Sequence, residues 1–94
     1  MMAPRLAAWR RILLTLVENP GVSLATLQQA TGLKDGTVSA YVSMCIHRGP
    51  GGALIDRTED GGLWPAVTRE NIERAPRFWD VQRRVEYGAG AVDG

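Results

Sequence analysis

Ser23-Leu24-Ala25-Thr26-Leu27-Gln28-Gln29-Ala30-Thr31-Gly32-Leu33-Lys34-Asp35-Gly36-Thr37-Val38-Ser39-Ala40-Tyr41-Val42 reads as two short helices hinged on one glycine. Ser23 has the side chain of a helix cap, and Leu24, Leu27 and Ala30 with Thr31 give about two turns of helix one apolar edge. Gly32 can adopt the left-handed conformation that ends a helix and turns the chain, after which Leu33 tucks back towards a core. Asp35 is placed to cap the next helix, in which Val38, Tyr41, Val42 and Cys45 share one face with Ile46 on its flank. Gly49-Pro50-Gly51-Gly52 stops that helix.

Upstream, Leu6, Trp9, Leu13, Leu16 and Val17 recur at helical steps from Arg5 to Glu18, with Pro4 suited to the first turn and Asn19-Pro20-Gly21 as the stop. Downstream, Ala53–Thr58 and Leu63–Val67 are two strand-like runs around Glu59-Asp60-Gly61-Gly62, the pattern of a β-hairpin. Pro65 cannot donate to a ladder, which predicts an edge strand at that point. Thr68 then opens a last helical segment carrying Ile72, Ala75, Phe78, Trp79, Val81 and Val85, kinked or split by Pro76. The expected organisation is one domain over residues 1–87 and a structureless tail over 88–94, where glycine, alanine and one valine offer little to pack.

The run from Ser23 to Val42 resembles the helix-turn-helix of winged-helix regulators. Such motifs carry a leucine before the core of the second helix, Thr-Gly-Leu at the turn and Thr-Val-Ser at the start of the recognition helix. Here those are Leu27, Thr31-Gly32-Leu33 and Thr37-Val38-Ser39. One residue departs from the pattern: the small side chain usual four positions before the turn glycine is replaced by Gln28, which must fit beside the third helix. The order helix, helix-turn-helix, glycine-tipped hairpin extends the resemblance over roughly residues 5 to 75. It implies a mainly α fold with a small β-hairpin: a three-helix core, a two-stranded wing and a C-terminal helix. The other reading of the pattern is a three-helix bundle with an incidental hairpin.

The resemblance implies double-stranded DNA as partner, with the third helix, about 35–48, in the major groove. The face opposite Val38, Tyr41, Val42 and Cys45 is then Gly36, Ser39, Ala40, Ser43 and His47. Thr37 and Ser39 are placed for phosphates or bases, Ser43 and His47 for base edges, and Lys34 and Arg48 for backbone phosphates. Arg57 lies near the wing tip, where winged proteins commonly insert an arginine into the minor groove, but the acidic tip Glu59-Asp60 argues against deep insertion and predicts a wing that touches the phosphates; the alternative for Arg57 is pairing with Glu59 or Asp60.

Composition narrows the remaining choices. With 45% hydrophobic and 22% charged residues the chain is of ordinary globular type, and a net charge of +1 leaves DNA contact to local groups rather than to overall charge. The outward face of the third helix contains no arginine, which also suits a winged helix used as a protein–protein interaction module in a larger assembly. One histidine and one cysteine leave no material for a nucleophilic triad or a thiolate zinc site, and the glycine runs lack the lysine and serine or threonine of a phosphate loop. No enzyme, metal or cofactor is expected, and Cys45, Trp9 and Trp64 read as core residues. The lone cysteine and the lack of a long apolar run suggest a cytoplasmic chain with no membrane span. Homodimerisation through Phe78, Val81 and Val85 is expected if these form an apolar strip that the domain itself leaves uncovered.

Overall fold

The computed structural model describes residues 7–46, 53–78 and 80–81. The chain runs α1 (Ala8–Glu18), α2 (Leu24–Thr31), α3 (Asp35–Ile46), β1 (Ile55–Arg57), β2 (Leu63–Pro65) and α4 (Arg69–Arg74). This is the mainly helical order, with one small hairpin, that the sequence implied. His47, Arg48, Trp79, Val85, the first residues of the expected first helix and the expected tail lie outside the described residues.

Trp9, Ile12, Leu13 and Leu16 are buried on one side of α1, a stripe that returns every three or four residues. The helix ends where Asn19 donates its backbone N–H to the Thr15 and Leu16 carbonyls and its side-chain amide to the Thr15 carbonyl. α2 begins at Ser23, whose hydroxyl oxygen accepts the Thr26 N–H at 3.2 Å, and ends at Gly32 with φ 70°. Asp35 is the first residue of α3 rather than its cap. The Lys34 carbonyl accepts the N–H groups of Thr37 and Val38, so the helix starts one residue earlier than the capping expectation, with the Asp35 carboxylate in its first turn.

The hairpin is antiparallel, with Ile55 opposite Pro65, Asp56 opposite Trp64 and Arg57 opposite Leu63. It is not isolated from the helices. Leu63 donates to the Val22 carbonyl at 2.8 Å and accepts the Gly21 N–H at 2.7 Å, which stitches the α1–α2 connection to β2. At the other end Leu54 donates to the Cys45 carbonyl and Ala66 to the Leu54 carbonyl, fixing the hairpin base against α3. Leu54, Ile55 and Leu63 are fully buried, whereas Trp64 is 45% exposed. Trp64 is therefore not a core residue, as the sequence had suggested. Leu63 turns inward, so its strand neighbour turns out, and the indole lies over Gly21, where a Cβ would sit 2.9 Å from its Cζ2.

α4 is capped by the Thr68 hydroxyl, which accepts the Asn71 N–H at 3.1 Å. It stops at Ala75, whose extended backbone (φ −76°, ψ 122°) is what the residue before Pro76 is forced towards. The Ala75 carbonyl accepts a hydrogen bond from the Arg10 guanidinium instead of from a further helical turn. This break redirects the chain, and it places two of the three residues of the expected self-association strip in the core. Phe78 is 6% exposed and Val81 0%, both in the same core as Ile72 and Ala75. The Phe78 ring lies 6.1 Å from Trp9 and edge-on at 5.6 Å to Tyr41, joining α1 and α3 to the C-terminal segment. No helix among the described residues is long and apolar enough to cross a membrane.

Candidate nucleic-acid interface

The turn between α2 and α3 sets how α3 stands off the body. Gly32 supplies the left-handed residue, and the buried Thr31 hydroxyl donates to the Gln28 carbonyl at 3.0 Å while accepting the Leu33 N–H at 3.3 Å. Thr31 thus ties both sides of the turn through one side chain. Gln28, the departure from the usual motif, is accommodated at half-burial with its amide Nε2 3.3 Å from the Asp35 carbonyl, so its extra length spans the gap to α3.

With Val38, Val42 and Cys45 buried, α3 presents Gly36, Ser39, Ala40 and Ser43 to the outside. These are small side chains, so a ligand could approach close to the helix backbone. Lys34 is exposed at the entry to the helix and Thr37 is half-buried in its first turn. Met44, 40% exposed, belongs to the same outer surface and was overlooked in the sequence, although it follows Ala40 by four residues. Burial of Cys45 pushes its thiol pKa up to about 12, which leaves it protonated and inert as a thiolate at neutral pH.

The hairpin places Arg57 opposite α3. Ser39 and Ser43 line one cleft with Arg57, its walls completed by Leu24, Val42, Ile46 and Leu63, with a volume of about 370 Å³. Three of the residues singled out from sequence therefore meet in one place, while Lys34 just precedes α3, Thr37 lies in its first turn, and His47 and Arg48 fall outside the described residues. Leu24 shows in the sequence only as part of the apolar edge of α2; its place in the cleft depends on how the hairpin packs and has no local signal.

At the hairpin tip, Asp60 is committed to the turn. Its carboxylate accepts the Thr58 hydroxyl and, at 3.1 Å, the Gly62 N–H, and these bonds hold its pKa below the usual carboxylate range. A Cβ at Gly62 would lie 2.9 Å from Thr58 Oγ1 and 3.0 Å from the Gly21 carbonyl, so this position is glycine for reasons of space. Arg57 is exposed and makes no ion pair among the described residues; the pairs present there join Glu18 to Arg69, Glu70 to Arg74 and Arg77 to Asp80. The alternative reading of Arg57 as the partner of Glu59 or Asp60 is not seen.

No curated protein and no solved structure matches this chain. A family model described as winged helix-turn-helix DNA-binding matches residues 10–49, the stretch that runs from α1 through α3. The hairpin that follows stands where a wing would, so the fold has the form of a winged helix-turn-helix, and over residues 10–49 the chain is similar to the DNA-binding family of that description.

Proposed function

We propose that this chain is a transcription regulator that binds duplex DNA by laying α3 in the major groove. The observation that carries this reading is the convergence of Ser39, Ser43 and Arg57 on one cleft beside an otherwise small-residue helix face. In that pose Gly36, Ser39, Ala40 and Ser43 meet the base edges, Lys34 and Thr37 take phosphates at the helix entry, and Arg57 reaches the backbone from the wing. His47 and Arg48 extend the same roles in the sequence beyond α3. Short serine side chains and a single wing arginine give modest base discrimination, so two copies on paired half-sites would sharpen it. Such a pair would use a surface other than Phe78 and Val81, which are core residues.

A second reading, a winged helix that docks on protein, draws on Trp64, an exposed indole opposite Asp56 on the side of the wing that does not carry Leu63 into the core. Titration of random and genomic duplexes at several salt concentrations separates the two. DNA binding requires log K to fall linearly with log salt, about 0.9 per phosphate engaged. A salt-independent or undetectable interaction favours the protein-docking role.

A further inference from the structure

The cleft between α3 and the wing has walls of two kinds. Leu24, Val42, Ile46 and Leu63 are aliphatic, whereas Ser39, Ser43 and Arg57 bring two hydroxyls and a cation without an ion-pair partner among the described residues. A hydrated sugar–phosphate backbone uses the polar side and gains little from four aliphatic side chains. A molecule with an anionic end and an apolar body uses both. The volume of about 370 Å³ falls within the roughly 300–1,000 Å³ typical of small-ligand sites.

We propose that this cleft binds a small amphipathic carboxylate, and that DNA and this ligand exclude one another there. The Arg57 guanidinium offers the two parallel N–H donors that match a carboxylate. Ser39 and Ser43 stand four residues apart on α3, hence on the same side, and their hydroxyls can donate to the same group. The apolar body then lies against the half-buried Leu24 and Ile46, with the buried Val42 and Leu63 as the floor beneath them. Because the occupied cleft covers the serines and Arg57, ligand binding weakens DNA binding, and DNA weakens ligand binding by the same factor. The exclusion rests on the DNA-binding reading; the ligand site does not.

The test is a titration of the isotopically labelled full chain with benzoate and with octanoate at fixed ionic strength, followed by amide shifts, with acetate and benzyl alcohol as controls. Saturable shifts at Ser39, Ser43 and Arg57 are expected with the two amphipathic carboxylates and with neither control. Arg57→Gln should weaken benzoate binding by about tenfold or more with the rest of the spectrum unchanged. Benzoate at its own dissociation constant should halve the affinity for a labelled duplex. The site is overturned if neither carboxylate saturates, if the shifts map elsewhere, or if Arg57→Gln binds benzoate as well as the parent. Duplex binding that persists unchanged at saturating benzoate overturns the exclusion. A chain that binds benzoate as described but shows no salt-dependent duplex binding supports the site and removes the DNA-binding reading.

Discussion

The Gln28 amide nitrogen lies 3.3 Å from the Asp35 carbonyl, a side-chain bridge from α2 to the first residue of α3. The bond is long and half in water, so Gln28→Ala should cost about 0.5 kcal/mol in urea unfolding. A loss of several times that amount would mean that Gln28 is a main support of the turn rather than an accommodated substitute for a small residue.

Gly32 differs from Gly62 in the cause of its requirement. At Gly32 nothing lies within 4 Å of an added Cβ, but φ is 70°, so Gly32→Val should destabilise through backbone strain alone, by about 1–2 kcal/mol, with Gly32→Asn costing less. Equal melting temperatures for the parent and the valine variant would remove Gly32 as the pivot.

At Gly62 the obstacle is steric. The Gly21 carbonyl 3.0 Å from an added Cβ is backbone and cannot swing aside, so Gly62→Ala should loosen the contact between the wing and the α1–α2 connection. Hydrogen exchange at Leu63, whose N–H is held by Val22, should speed up in this variant while exchange at Leu13 follows global stability.

Asp60 makes the wing tip sensitive to acid. Its folded pKa lies below its ordinary value because of the Thr58 hydroxyl and the Gly62 N–H, so its contribution is complete above the ordinary carboxylate range and is lost as pH falls through the folded value. The Gly62 amide shift should titrate below the ordinary aspartate midpoint, and Asp60→Asn, which keeps the acceptor oxygen, should abolish that titration. A midpoint at the ordinary value would contradict the hydrogen-bonded turn.

Phe78 is held by Trp9 and Tyr41 in the core. Phe78→Ala should cost about 3–5 kcal/mol and leave the oligomeric state of whatever remains folded unchanged. A variant of unaltered stability that changes only self-association would restore the exposed-strip reading that the burial of Phe78 and Val81 replaced.

What was legible in the sequence follows the range of the interactions. Ser23, Gly32 and Thr68 act on atoms within four residues, so their caps and turn could be read directly. The face of α3 was legible because helical spacing alone separates Val38, Val42 and Cys45 from Ser39 and Ser43. The third partner of the hairpin was not, since Val22 meets Leu63 only after α2 and α3 have folded between them. Pro76 announced a break but not the direction taken beyond it, and that direction depends on Arg10 receiving the Ala75 carbonyl and on Trp9 and Tyr41 receiving Phe78. Which of Leu63 and Trp64 turns inward is set by how the face of the hairpin packs on the helices, and no signal within the strand carries that choice.

Amide shift mapping of the full chain with a bound duplex measures most directly whether α3 and the wing form the DNA surface. The account predicts that perturbations at Lys34, Thr37, Ser39, Ser43 and Arg57 grow together, and that Lys34→Ala and Arg57→Ala each flatten the salt slope by about one unit. Perturbations confined to Asp56, Trp64 and α4, with those five residues silent, would contradict it.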